Sequence, residues 1–366
     1  MKSFFCPYCC EEHTFSNCKM KCSYYGSKCK NGVCRDDQGW IPSVSYSKCL
    51  KCRDAQTKVY CEVFQKEIPQ AFLQGEEFPV ALVGACQSGK SSYIATSVYE
   101  IRKRMSRTIN CMMTYGTEET RSCYDDYYYY PLFEKGYTVG PNQSTDAISL
   151  MFPITFCDNK GRPKAIAGLM FKDGFGNRLI DMNEAAAMDS YIANSKGIIL
   201  FIDPLQIPSV RNQLQGKTPL PVIDSSQTDI FAHVIETIRA KTNIKGAIKT
   251  PLAVVVTKID VLERFDILSS DSCLRQDSEH LKRGAFVLSD CKKVNEELKP
   301  LLEDWLGGEM MNMLQHFSKC SIFGVSSLGS TSNGNVLDGG EPKPRRVLDP
   351  LLWLLAEYKY IKTEKK

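Results

Sequence analysis

Pro79-Val80-Ala81-Leu82-Val83-Gly84-Ala85-Cys86-Gln87-Ser88-Gly89-Lys90-Ser91-Ser92 runs from an apolar stretch into a complete G-x-x-x-x-G-K-S signature. Glycines in this frame let successive backbone N–H groups turn inward around a phosphate. Lys90 then reaches the outer phosphates, and the Ser91 hydroxyl is placed on Mg²⁺ at a helix N-terminus. Gly-rich turns before helices are common, so the flanks decide what this one means. The residues before Gly84 read as a buried parallel strand. Ser92 to Met105 reads as a helix, with Ile94, Val98, Ile101 and Met105 at three- to four-residue spacing. Strand, loop and helix in that order predict a nucleoside triphosphate cradled by Gly84, Gln87, Ser88, Gly89, Lys90, Ser91 and Ser92.

Strand-like runs recur at 147–156, 164–171, 197–202, 252–256 and 321–325. Helical patterns over 182–193, 229–241, 294–317 and 348–358 separate them, and 63–74 reads as a short linker helix. The expected fold class is α/β: a P-loop NTPase three-layer sandwich with a mainly parallel sheet over 66–362, preceded by a small zinc-ribbon-like domain over 1–62. An apolar fraction of 43% in 366 residues supports a real core, and a net charge of +4 makes no case for a nucleic-acid or membrane-surface protein. No apolar run is long enough to cross a bilayer, and the start reaches cysteines and charges before a signal core could form. A cytoplasmic protein is expected.

Ligand sites of such sheets lie at the carboxyl ends of the strands, where three short motifs fall. They are Asp173-Gly174-Phe175-Gly176 (D-x-x-G), Thr257-Lys258-Ile259-Asp260 (T-K-x-D) and Ser326-Ser327-Leu328. Each is weak alone, and Asp173 could simply cap a turn. Their succession after the loop resembles that of GTPases of the translation-factor and Ras-like class. In that class the aspartate of D-x-x-G serves Mg²⁺, which here is Asp173 beside Ser91. The base chemistry agrees: the carboxylate of Asp260 can accept from both N1–H and N2–H₂ of guanine, whereas adenine offers neither donor there. The stem of Lys258 can lie along the base, and an N–H near Ser326 or Ser327 can meet the guanine carbonyl. GTP and Mg²⁺ are therefore the expected cofactors. A competing reading makes Asp203, at the end of Gly197–Ile202, the Mg²⁺ carboxylate of an ATPase with an added strand.

Ten of the seventeen cysteines precede residue 62. Cys6-x-x-Cys9 and Cys49-x-x-Cys52 are knuckle pairs, with Cys18, Cys22, Cys29 and Cys34 between them and Cys10, His13 and Cys61 as further candidates. Eight cysteines at this spacing predict two structural Zn²⁺ ions, in a pairing that spacing leaves open. The segment is poor in long apolar residues and needs such a staple to fold. Disulfides, an iron-sulfur cluster or a catalytic zinc are weaker alternatives. Over residues 1–60, ten Lys/Arg against five Asp/Glu read as a solvated surface rather than a nucleic-acid site.

Between the first helix and the second strand lies a long polar and aromatic segment that includes Tyr124 and the run Tyr127–Tyr130. In GTPases this is switch I. Thr145 is the best-placed residue to complete the Mg²⁺ shell, with Thr138 and Ser144 as rivals. The tyrosines read as packing for the insertion, with a partner-binding patch as the alternative. After Gly176 the family often has a water-orienting glutamine, and this chain has Asn177, one methylene shorter. Slow, partner-dependent hydrolysis follows as the expectation, with Lys90, Thr145, Gly176 and Asn177 as its catalytic set. A cysteine-rich head, a long switch I, the Ile198–Pro204 strand and the Pro350–Leu355 helix together resemble the bacterial double-GTPase families. That resemblance implies a molecular switch with protein partners, including a second GTPase, in conflict or defence systems. A nucleotide sensor that does not hydrolyse, its zinc head docking a partner, is the non-enzymatic alternative.

Overall fold

A computed structural model of the chain describes residues 3–14, 19–22, 57–73, 77–140, 148–173, 182–223, 226–330, 332–333 and 335–365. At the start, β1 (Ser3–Phe5) pairs antiparallel with β2 (Glu12–Thr14), and β3 (Lys19–Cys22) with β4 (Thr57–Tyr60). There follow β5 (Glu77–Val83), β6 (Cys111–Met113), β7 (Ile148–Cys157), β8 (Pro163–Asp173), β9 (Gly197–Ile202), β10 (Leu252–Val256), the two-residue β11 (Phe286–Val287) and β12 (Cys320–Gly324). Seven of these form one sheet in the order β12-β10-β9-β5-β8-β7-β6. From β12 to β8 the neighbours are parallel, and β7 and β6 extend the sheet antiparallel.

β9 and β10 are buried along their whole length, as their unbroken Ile, Leu, Val and Phe content requires of parallel strands covered on both faces. Period-two alternation assigns the faces. Val80, Leu82, Ile199, Phe201, Ala253 and Val255 face one apolar cluster with α1 (Lys90–Glu100). Ala81, Val83, Ile198, Leu200, Val254 and Val256 face the other, with α3 (Met182–Asn194), α4 (Gln227–Thr242) and α6 (Leu288–Leu314). The insertion helix α2 (Glu118–Tyr124) and the late helix α7 (Asp349–Glu357) join α1, whereas α5 (Ile259–Arg264) follows β10 and buries Ile259 and Leu262 on the α3 side. The result is the expected α/β architecture, a mostly parallel sheet between two helical layers.

Two expectations change. Residues 63–74 are not one helix: Gln65 adopts φ 54°, its N–H closes a turn onto the Cys61 carbonyl, and only Gln70–Leu73 is helical. Pro69 also disfavours helical backbone at Ile68. The long α6 begins at Leu288, ahead of the expected 294, and Gly307 (φ 73°, ψ −177°) breaks it. The first hairpin and Val59, Cys61, Ile68 and Phe72 share one apolar cluster with Met151, Met170 and Met188, so the head packs directly against the sheet.

Candidate functional site

Between β5 and α1 the backbone must turn within six residues, and two glycines supply the geometry. Gly84 adopts φ 152°, and a Cβ there would meet the Phe201 carbonyl oxygen at 2.7 Å. Gly89, at φ 98°, caps α1. The first N–H groups of a helix have no intrahelical partner, so this end of α1 presents donors and a positive dipole. The Lys90 ammonium is buried, 2.8 Å from the carbonyls of both Gly84 and Ala85. The hydroxyl of buried Ser88 has no hydrogen-bond partner among the described residues.

β8 lies directly beside β5, which carries Asp173 to the loop. Its Oδ2 accepts from Ser91 Oγ at 2.9 Å and from Tyr128 Oη at 2.7 Å. Tyr128 was not singled out from the sequence. It lies in the wide-turn continuation of α2, Asp125–Glu134, and is buried. Its ring stacks on Tyr124 at a centroid distance of 6.0 Å, and the Tyr124 hydroxyl donates to the Ala95 carbonyl of α1 at 2.7 Å. The tyrosine run thus divides: Tyr124 and Tyr128 face the loop helix, while Tyr127 and Tyr130 are exposed.

Asp203 ends β9, on the other side of β5. It is fully buried, and its Oδ2 accepts from Lys258 Nζ at 2.7 Å and from Gln206 Nε2 at 3.2 Å. The same Gln206 nitrogen reaches the Cys86 carbonyl of the loop at 2.7 Å. Asp203 therefore ties the T-K-x-D turn to the loop. With β8 and β9 both adjacent to β5, no strand intervenes between the loop strand and either carboxylate.

A cavity of about 310 Å³ connects these elements. It is lined by Gln87, Gly89 and Ser92 of the loop segment together with Lys258, Asp260 and Ser327. That volume is at the small end of the range for ligand pockets. Asp260 Oδ1 accepts from Ser326 Oγ at 2.6 Å, and Ser326 Oγ in turn accepts from the Gly329 N–H at 2.9 Å. Burial raises the pKa of the Asp260 carboxyl, and the Ser326 bond partly offsets this. A desolvated carboxyl that lines a cavity suits a ligand that donates hydrogen bonds to it.

In the head, Cys6, Cys9 and Cys61 bring their sulfurs within 4.8 Å of one another, a cluster that could hold a metal ion. Burial pushes the Cys6 thiol well up, whereas hydrogen bonds from Cys6 and Cys9 draw the Cys61 thiol down. Cys22 lies outside this cluster and is buried on β3; Cys18, Cys29, Cys34, Cys49 and Cys52 fall outside the described residues. The turn after Cys6 docks beside β7 and the end of β8 that carries Asp173. Ser149 Oγ donates to the Pro7 carbonyl at 2.8 Å, and Lys172 Nζ, next to Asp173, to that of Tyr8 at 3.2 Å. A second convergence, His280, Asp290 and Asp349, already has its cation: Arg346 Nη1 lies 2.8 Å from Asp290 and 2.9 Å from Asp349.

Thr145, Ser144, Gly176 and Asn177 also fall outside the described residues. Thr138 is engaged elsewhere, its N–H donating to the Asn335 carbonyl at 2.8 Å. Among the described residues no helix is long and apolar enough to cross a membrane. No protein-family model matches the chain. It is similar to the "Putative ESX-1 scaffolding and assembly protein SaeC" of Mycolicibacterium smegmatis, with 24% identity over 342 residues that span 87% of this chain and 84% of that one.

Proposed function

We propose that this protein binds Mg²⁺ and a guanine nucleotide and works as a switch, with slow hydrolysis that depends on a partner. The observation that carries the reading is the cavity lined both by residues of the G-x-x-x-x-G-K-S loop and by Lys258 and Asp260. In it the loop N–H groups and Lys90 hold the phosphates, Lys90 exchanging its two carbonyl partners for phosphate oxygens. Ser91 and Asp173 hold Mg²⁺, which neutralises charge on the β- and γ-phosphates when bound. Asp260 accepts from the guanine edge, oriented by Ser326. The Lys258 and Gln206 bonds to Asp203 support Asp173, rather than Asp203, as the Mg²⁺ carboxylate. With Asn177 in the place of the family glutamine, the attacking water is poorly oriented without help from a partner.

The same reading gives the head a structural zinc ion at Cys6, Cys9 and Cys61 and places the protein in the cytoplasm. Scaffolding and assembly, in the name of the mycobacterial relative, support protein partners for the switch. The resemblance to double-GTPase families adds a second GTPase as one of them. Equilibrium binding of GTP and ATP with and without Mg²⁺, followed by single-turnover hydrolysis, tests the proposal. The expected result is Mg²⁺-dependent GTP binding with ATP far weaker. Tight ATP binding with indifference to GTP would defeat it.

A further inference from the structure

The two turns that meet at the cysteine cluster are built alike. In Cys6-Pro7-Tyr8-Cys9-Cys10-Glu11 the Cys6 N–H donates to the Glu11 carbonyl (3.0 Å) and the Cys10 N–H to the Cys6 carbonyl (2.9 Å), with Cys10 at φ 61°. In Cys61-Glu62-Val63-Phe64-Gln65-Lys66 the Cys61 N–H donates to the Lys66 carbonyl (2.9 Å) and the Gln65 N–H to the Cys61 carbonyl (2.9 Å), with Gln65 at φ 54°. Position by position, Cys61 matches Cys6, and Phe64 stands where the first turn has Cys9.

A pair of such turns would supply four sulfurs, and Phe64 removes one. His13 on β2 offers a replacement: its Nε2 lies 3.1 Å from Cys9 Sγ but outside the 4.8 Å group formed by the three sulfurs, so an ion must draw the imidazole inward to share it. Cys10 does not, because its sulfur contacts Lys172 Nζ (3.6 Å) and the Tyr8 carbonyl (3.7 Å). We propose that Cys6, Cys9, Cys61 and His13 hold one zinc ion as a Cys₃His site built from these two turns. This deepens the zinc reading above and rests on it. The plain alternative is three packed thiols and an ordinary thiol–imidazole hydrogen bond. Metal binding opens the Cys9–His13 pair to the roughly 3.6 Å edge of an S–Zn–N tetrahedron. The ion then ties 3–14 to 57–66 and, through the Pro7 and Tyr8 carbonyls, fixes the head on Ser149 and Lys172.

The test uses the full chain with Cys18, Cys29, Cys34, Cys49 and Cys52 all changed to Ser, measured for zinc content and, after cobalt substitution, by visible spectroscopy. One zinc per chain is expected. Cys61→Ser should weaken zinc binding at least about tenfold, and His13→Cys should keep the metal while moving the cobalt bands from the S₃N to the S₄ position. Full zinc retention in Cys61→Ser would overturn both this site and the zinc reading. Cobalt bands unmoved in both His13→Cys and His13→Ala would overturn His13 alone and leave the three-cysteine ion standing. Loss of zinc in the five-serine variant, with its thermal transition intact, would overturn the proposal by making one of those cysteines a ligand. If that variant does not fold, His13→Cys and Cys10→Ser in the intact chain decide by the same bands, which should move in the first and stay in the second.

Discussion

Asp260→Asn replaces one oxygen of the carboxylate by an NH₂ group without changing the shape of the side chain. The amide oxygen can keep the Ser326 hydroxyl, which now lies 2.6 Å from Oδ1, so the fold around β10 should be undisturbed. At the nucleotide, however, the new NH₂ meets a guanine N–H head-on. One charge-assisted hydrogen bond is lost, about 1.5–3 kcal/mol, and donors are left unsatisfied in a half-buried site, about 1–3 kcal/mol more. Together these predict a fall in GTP affinity of roughly two to four orders of magnitude. Xanthine carries a carbonyl where guanine has its amine and keeps N1–H, so it matches the amide, and the variant should prefer XTP. Titration calorimetry with GTP, XTP and ATP at fixed Mg²⁺ reads all three. GTP affinity within about threefold of the parent, or an equal loss for ATP, would refute the assignment of Asp260 to the guanine edge.

pH gives an independent check on the same carboxyl. Burial raises its pKa, so the penalty for its charge is present above the raised value and is relieved as pH falls through it. Acidification should therefore relieve the apo protein at this group while it abolishes GTP binding, starting above the ordinary aspartate value of about 3.9. Ser91→Ala should remove most of the Mg²⁺ dependence of GTP binding, measured by titration with and without EDTA, and Asp173→Asn should do the same. Tyr128→Phe deletes one hydrogen bond to Asp173, about 0.5–1.5 kcal/mol, and should weaken Mg²⁺ binding in the GTP complex by about two- to tenfold with little change in nucleotide affinity without metal. Arg346→Met leaves Asp290 and Asp349 with only the more distant His280 imidazole (3.7 and 3.8 Å) as a neighbouring cation among the described residues and should destabilise the fold by about 3–5 kcal/mol, seen as a clearly lowered Tm with the GTP preference retained.

Local structure was legible residue by residue. The strand–loop–helix around Gly84–Ser91 is legible because its glycines, lysine and serine stand within a short stretch between an apolar run and a helical pattern. β9 and β10 match the expected ranges to the residue because an unbroken apolar run has few other places to go. The expected helix over 63–74 failed for an equally local reason that apolar spacing does not encode, a left-handed residue at Gln65. Tyr128 was hidden inside a run of four tyrosines, where nothing in sequence separates the ring that turns inward from those that face solvent.

From the sequence alone came the G-x-x-x-x-G-K-S pattern, the alternation of strands and helices, the strand-end positions of Asp173, Lys258 and Asp260, and a cysteine-rich head. Tertiary structure decided which of these residues meet. Tyr128 reaches Asp173 across 45 positions and Lys258 reaches Asp203 across 55. Cys61, a spare by spacing, closes on Cys6 and Cys9. Each pairing depends on strand order, on the register that aligns the ends of β8, β5, β9 and β10, and on the docking of the head against the sheet. Side chains so far apart in the chain carry no mark of one another until packing brings them within reach.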